Sequence, residues 1–553
     1  MILAHLRKAL LRELAAWAAE QGLSAPEEAL INPVPPHVPA DLSLPYPMQA
    51  AKALKRKPLE VATELAARLK DLRSPEVDFP LLESAEPAPP GFINLRLSEQ
   101  ALVWNLAMAL GRPADGDSPY GFDPDAPKRA INLEFVSANP TGPVHVASAR
   151  AATLGDSLSR ILRRRGHGVR TEYYVNDVGR QVELLGRSLH ARFAELKGKP
   201  SEFPEDGYHG EYIKALAAEA PPEAEGWGPP EFSRFGVERM LTAHRRDLEE
   251  LFLVRFDRWF RESELHDAKA LDRTLEKLRK LGRVYEKEGA VWLGSSDTEA
   301  GDDKDRVLVR ADGRPTYFLS DIAYHEDKLA RGFKELIDIW GADHHGYVPR
   351  MRAAIEALGH PPGTFHAIIH QLVHLFRGKE AVKMSKRAGE FVTLRELVEE
   401  AGLDACRFFF ALRSPNAHMN FDIELAKKQS QENPVYYVQY VHARIHSIFR
   451  EAEKHSLRTS PGSHKEPTAR ALLVKLAWFP EALRNCEREL SPHPLASYLM
   501  ELSGLFHPFY EQCRVVDTHA IETSGSRLNL CAGVARIIAD GLSLLGVSAP
   551  EKM

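Results

Sequence analysis

Cysteine is scarce in this chain: Cys406, Cys486, Cys513 and Cys531 are the only four among 553 residues. They are scattered without a CxxC pair, which argues against a zinc knuckle and a disulfide framework and leaves them as buried structural thiols. Also missing is a run of about 18 apolar residues, the minimum for a membrane span. The first helix-like stretch, Met1 to Gln21, is interrupted by Arg7, Lys8, Arg12 and Glu13 and so lacks the apolar core of a signal peptide. These absences point to a cytoplasmic protein with no membrane partner. There is no excess of one charge: net charge is −5, so any nucleic-acid binding must use local patches. No internal repeat is present. What remains is 44% hydrophobic and 27% charged, an ordinary globular profile. The length exceeds one hydrophobic core and suggests about three or four domains.

Residues 1–85 read as helix, Pro-rich connection and helix, with Glu83 to Gly91 (ESAEPAPPG) as a boundary loop. From Arg129 the pattern is strand (Ala130 to Val136), turn (Asn139 to Pro143), and helix with Ala152, Leu154, Leu158, Ile161 and Leu162 on its apolar face, closed by Gly166. A second strand follows at Val169 to Val175. This opens a βαβ unit and predicts a doubly wound parallel sheet. Residues 180–300 read as a helical, charged insertion with a surface loop at Ala220 to Pro230. Strand signals return at Arg306 to Val309, Thr316 to Leu319, Glu335 to Trp340 and Ala367 to Val373. Beyond Gly402 the chain is helical, with polar loops at Thr459 to Pro467 and Glu522 to Ser526. The expected domains are 1–110 (α/β), 111–400 (Rossmann-like α/β) and 401–553 (all-α bundle).

Two segments carry chemistry. Lys383-Met384-Ser385-Lys386 lies in a Gly-flanked polar loop, where two lysines can follow the β- and γ-phosphates of a nucleotide as charge builds on departing pyrophosphate. The bland reading is a solvated basic turn. The first βα junction, Ser137 to Ser148 (SANPTGPVHVAS), brings a strand through a Gly/Pro turn into a helix N-terminus, where free N–H groups and the positive dipole end suit a triphosphate. His145 can donate to the nucleotide there, or simply cap the helix.

Together these segments resemble the two signatures of class I aminoacyl-tRNA synthetases, and longer strings are similar to the arginyl family. The strings are Glu134 to Arg150 (EFVSANPTGPVHVASAR), Tyr317 to Asp327 (YFLSDIAYHED), Trp340 to Pro349 (WGADHHGYVP), Asp404 to Phe421 (DACRFFFALRSPNAHMNF) and Glu432 to Arg444 (ENPVYYVQYVHAR). The resemblance implies arginine activation by ATP, taken as the Mg2+ complex with no protein-ligated metal, and transfer to tRNA(Arg), with tRNA already bound in the first step. It assigns His145, Ser148, Lys383 and Lys386 to catalysis, and Gly142, Pro143, His145, Ser148, Met384 and Ser385 to ATP. Glu134 and Asp321 would hold the guanidinium, whose planar fork matches carboxylates, with Tyr317 closing the pocket. Ser137, Asn139, Asp343 and His344 would fix the other end of arginine. Tyr437, Tyr440 and Arg444, at i, i+3 and i+7 on one helix face, would meet the anticodon loop with Tyr510 and Met553. By looser analogy, Tyr46 and Lys52 to Lys57 would touch the tRNA elbow. The basic run Arg163 to Arg165 reads as a solvated helix end, or else as a phosphate contact. A monomer is expected.

One departure stands out. The family's His-x-Gly-His is here His145-Val146-Ala147-Ser148, which adds a methyl group and replaces an imidazole by a shorter neutral donor. Losing one transition-state donor costs roughly 2.7–4 kcal/mol. The reading is a working arginine–tRNA ligase; the alternative is a non-catalytic tRNA- or arginine-binding regulator. A glutamine- or cysteine-specific class I synthetase is disfavoured by the EFVSANPTGP and YFLSD strings, and a small-molecule nucleotidyltransferase leaves the helical tail unexplained.

Overall fold

The computed structural model describes residues 1–35, 37–111, 119–294, 304–382 and 392–553. Lys383, Met384, Ser385 and Lys386 lie outside the described residues.

The first unit pairs helices Ile2–Glu20, Tyr46–Leu54, Pro58–Leu69 and Glu99–Ala109 with a four-stranded antiparallel sheet. The expected loop over Glu83 to Gly91 is instead mostly strand, Leu82–Ala88, in a hairpin with Phe92–Leu97. Pro87 is tolerated because this strand is the sheet edge, where a missing N–H breaks no ladder. Tyr46 is buried edge-on against Trp17, with ring centroids 6.3 Å apart, so its phenol belongs to the core.

The central sheet has five strands, all parallel: β1 (Ala130–Glu134), β2 (Gly168–Val175), β3 (Arg258–Arg261), β4 (Glu335–Gly341) and β5 (Phe365–His370). Their order is β5-β4-β1-β2-β3, the expected doubly wound arrangement. Strand order reverses between β1 and β4, and ligands enter such sheets outside the carboxyl ends of the strands at that switch point. Helix α1 (Val146–Arg165) connects β1 to β2 and ends on Gly166 in the left-handed conformation. Its Gly155 allows close packing, since a Cβ there would stand 2.2 Å from the Phe135 ring.

The segment after β2 is less purely helical than expected. It contains Arg180–Leu196, α2 (Glu211–Ala218) and α3 (Pro229–Arg245), then returns β3 to the sheet edge. A small antiparallel sheet follows, from Val284–Lys287, Ala290–Leu293 and Arg306–Val309. The strand expected at Thr316 to Leu319 is the start of helix α4 (Tyr317–Ala330). Thr316 and the aromatics suit a strand, but the buried positions Leu319, Ile322 and Ala323 repeat with helical spacing and decide the outcome. Met419–Asp422 runs parallel to Val373–Arg377, so sheet structure continues past residue 400.

The C-terminal unit is a helical bundle that includes α5 (Pro434–Lys454) and α6 (Ile521–Leu545). The polar loop expected at Glu522 to Ser526 is the first turn of α6. Ser524, Gly525 and Ser526 are small because they are buried: a Cβ on Gly525 would meet the Ser460 hydroxyl at 2.3 Å. Helix α6 is the one described helix long and apolar enough to cross a membrane, and 72% of its apolar window is buried inside the protein. All four cysteines are buried free thiols. Arg164 and Arg165 turn inward to Asp540 and Glu487, while Arg163 stays exposed beside Asp257, so only the first residue of the basic run is solvated as expected and all three are paired with acids.

Candidate active site

Where β1 ends at Glu134, the backbone turns through Val136 (φ 71°) and Ser137 (φ 41°). A β-branched residue with positive φ is disfavoured by about 1–3 kcal/mol and persists only where its surroundings enforce it. Ser137 supplies part of the enforcement: its hydroxyl donates to Glu134 Oε1 at 2.8 Å and accepts from the Tyr174 N–H at 3.1 Å. Glu134 is thereby aimed across the switch point.

Beneath it lies a fully buried cation. Lys328 on α4 donates to Glu134 Oε2 at 2.6 Å and to Asp338 Oδ1 at 3.0 Å, and His325 reaches Asp338 Oδ2 at 2.9 Å. Glu134 and Asp338 are register partners on β1 and β4, so one ammonium joins both strands to α4. Burial alone would favour the neutral amine, but Asp338, Glu134 and Glu172 raise the Lys328 pKa and keep it charged.

Two further carboxylates approach from other elements. Asp321 on α4 accepts from the Tyr347 hydroxyl. Glu262, directly after β3, is bonded to the Tyr174 phenol. Burial pushes the Asp321 carboxyl up. Burial also raises Glu262, to about 7, with nearby Asp321 and Asp177 adding to the rise. These acids meet phenols in their hydrogen bonds, and a cationic ligand would relieve both their desolvation and their mutual repulsion. Glu262 and Tyr347 were not among the residues expected from sequence. An acid immediately after a strand was the available signal for Glu262, but β3 had been absorbed into a helical insertion.

Tyr317 begins α4 one turn before Asp321, on the same face. It is 67% exposed, with its hydroxyl near Gly179. Asn139 is exposed and donates to Gln181 Oε1 at 2.7 Å. Asp343 and His344, 3.6 Å apart, are exposed in the short helical turn Ala342–Tyr347 after β4.

On the other side of β1, Gly142 and Pro143 are half-buried and His145 immediately precedes α1. Ser148 is buried in the first helical turn. Arg150, fully buried, binds the Gln371 carbonyl at 2.7 Å and those of Ser414 and Ala417 at 2.9 Å. The Leu394 N–H donates to the Val144 carbonyl at 2.9 Å, and His145 bridges Thr393. The chain leaving the 383–391 segment is therefore stitched to the first βα loop. His370 ends β5, with its Nδ1 buried and unpartnered; burial and Arg150 lower its pKa to about 4.

A second cluster lies on the bundle. Tyr437, Tyr440 and Arg444 share α5 as expected. Arg444 sits over the Tyr510 ring at 4.8 Å, and His507 lies 5.2 Å from Tyr437 and 6.4 Å from Tyr440. Met553 is 55% exposed. His507 is the member sequence reading missed. Among the described residues, no group of three His, Cys, Asp or Glu is arranged to hold a metal.

Three family models match the chain: the arginyl tRNA synthetase N terminal domain over residues 4–97, the tRNA synthetases class I (R) catalytic domain over 239–419, and the DALR anticodon binding domain over 438–553. An arginine–tRNA ligase of Elusimicrobium minutum is 52% identical over 526 residues, 95% of each chain. One from Bacillus licheniformis is 41% identical over the full length of both. The solved Thermus thermophilus arginyl-tRNA synthetase superposes with a TM-score of 0.78 at 26% identity, covering 99% of this chain and 100% of that one. With such similarity along its whole length, the chain belongs to the arginyl-tRNA synthetase family of class I.

Proposed function

We propose that the switch-point crevice is where this ligase joins arginine to ATP and passes the arginyl group to the terminal adenosine of tRNA(Arg). The observation that carries the reading is the acid wall of Glu134, Asp321 and Glu262. Its carboxylates come from three separate elements and lie close enough to act on one another and on Tyr174. Lys328 already compensates Glu134, and a cationic ligand such as arginine would neutralise Asp321 and Glu262. Asp321 and Glu262 suit the forked guanidinium; Glu262 takes the place expected for Glu134, whose two oxygens are held by the Ser137 hydroxyl and the Lys328 ammonium. Tyr317 closes over it from the mouth. Ser137, Asn139, Asp343 and His344 take the α-amino and carboxylate end.

ATP, as its Mg2+ complex, lies along Gly142, Pro143, His145 and Ser148, and the family resemblance adds Met384 and Ser385 to its contacts. The arginine carboxylate attacks the α-phosphorus, the bond to the β-phosphate oxygen breaks, and pyrophosphate leaves. His145, Lys383, Lys386 and the Ser148 hydroxyl stabilise the charge that moves onto it. The 2′-hydroxyl of the tRNA then attacks the adenylate carbonyl and AMP departs. No protein nucleophile is required. Tyr437, Tyr440, Arg444, Tyr510 and Met553 hold the anticodon loop by stacking and charge. The regulator reading rests only on Ala147 and Ser148, and similarity to ligases along the whole chain does not favour it.

The test is charging of total tRNA with Mg-ATP and labelled arginine, with lysine and glutamine as controls. Arginine-specific, ATP-dependent charging is expected; tRNA binding without charging would overturn the reading.

A further inference from the structure

The loop between β1 and α1 is held from behind by three side chains that take no part in the chemistry just described. The Tyr173 hydroxyl donates to the Ala138 carbonyl at 2.8 Å, the Tyr212 hydroxyl to the Thr141 carbonyl at 2.7 Å, and His244 Nε2 lies 2.7 Å from the Gly142 carbonyl. A carbonyl can only accept, so Nε2 carries the proton in that contact. His244 is fully buried, and its Nδ1 stands 3.0 Å from the Tyr173 hydroxyl. Tyr212 belongs to α2 and His244 to α3, both in the segment between β2 and β3. Gly142 is fitted to the arrangement, because a Cβ there would stand 3.3 Å from the Tyr212 hydroxyl.

A trans peptide is planar, so a carbonyl fixed in one direction fixes the following N–H in the opposite one. Holding the Ala138 and Thr141 carbonyls from behind therefore turns the N–H groups of Asn139 and Gly142 the other way. Neither N–H donates to an atom among the described residues. Holding the Gly142 carbonyl sets the peptide that leads through Pro143 to His145 and the N-terminus of α1, the end of a helix that favours anions. Such a loop needs support, since it starts from the strained Val136–Ser137 turn.

We propose that Tyr212 and His244 are positioning residues for ATP: by holding the Thr141 and Gly142 carbonyls they keep the loop's amides and His145 directed at the nucleotide, which makes the helical segment part of the ATP site. This rests on the reading that the loop binds ATP. The test is arginine-dependent ATP–pyrophosphate exchange with tRNA present, comparing wild type with Y212F, H244L and H244Q. One net hydrogen bond corresponds to about a three- to tenfold effect. Y212F removes a single oxygen and is expected to raise the KM for ATP by that factor, with the KM for arginine within twofold of wild type and the melting temperature unchanged. H244L is expected to do the same or more, and H244Q, which restores an N–H donor, to recover most of the loss. An unchanged KM for ATP in Y212F, or equal shifts in both substrates, overturns the inference while leaving the ligase reading intact. A wild-type protein with no arginine-dependent exchange overturns that reading, and the inference with it.

Discussion

Glu262 is caught between two demands. Ionised, it can accept N–H bonds from a guanidinium; buried beside Asp321 and Asp177, it resists ionisation up to about pH 7. Arginine binding should therefore weaken as pH falls through 7, because protonation removes an acceptor. Glu262→Gln is expected to raise the KM for arginine about ten- to a hundredfold at pH 8, the scale of one charge-assisted hydrogen bond, and to flatten that pH dependence. Stability runs the other way. With a folded pKa near 7 against about 4.5 unfolded, the folded protein binds the extra proton between those values. The stabilisation is complete below 4.5 and lost as pH rises through 7. Melting temperatures of the free enzyme from pH 5 to 8 test this, since saturating arginine or the glutamine variant should level that part of the slope. Ser148 poses a second residue-scale question. It is buried in the first turn of α1, so the double change Ala147→Gly and Ser148→His must place an imidazole where a hydroxyl fits. Overpacking of this kind costs about 1–3 kcal/mol. The expected outcome is lower charging and a lower melting temperature; increased charging would show serine to be a defect. At this scale Glu134 and Asp321 were legible, because each sits in a string distinctive enough to place. Glu262 and Tyr347 were not, because their proximity is created by the sheet.

Helix α4 carries Asp321, His325 and Lys328 on one face, at steps of four and three residues, and this spacing lets a single element serve both pocket and support. Lys328→Met would leave Glu134 and Asp338 facing each other with no ammonium between them. Removing one partner of a buried ion pair costs about 3–5 kcal/mol. Chemical denaturation should show a loss of that size, with a raised KM for arginine in whatever protein remains folded. Lys328→Arg keeps the charge and is expected to restore most of both; failure of the arginine variant would mean that the shape of the ammonium, more than its charge, holds the strands. The helical period of α4 was present in its sequence but hidden by Thr316, Tyr317 and Phe318, whose strand preference dominates a short window. The opposite error occurred in α6, where buried serines and glycine imitated a loop. In both places burial overrode local composition, and burial is set by neighbours distant in sequence.

At the scale of the whole molecule, the order of three units could be read from composition, but not how they touch. The junction between the central sheet and the bundle shows why. Glu487 on the bundle accepts from Arg129, Arg165 and His167, across separations of 320 to 358 residues. The N-terminal unit meets the same bundle through Asp41 with Arg470 and Arg7 with Glu481. No sequence window contains both sides of such a contact. Burial alone would raise the Glu487 carboxyl, but the hydrogen bonds from His167 and Arg165 more than offset it and bring the pKa down to about 2. A depressed carboxyl stabilises the fold above its unfolded pKa near 4.5, and that stabilisation disappears as pH falls toward 2. From the shift, allowing for partial solvent access, it amounts to about 2–3 kcal/mol. Glu487→Gln should therefore lower stability at pH 7 by about that amount, and the loss relative to wild type should shrink steadily between pH 4.5 and 2. Denaturant unfolding across that range would check it. If the two proteins instead stay a constant distance apart, the contribution of Glu487 lies in packing rather than charge.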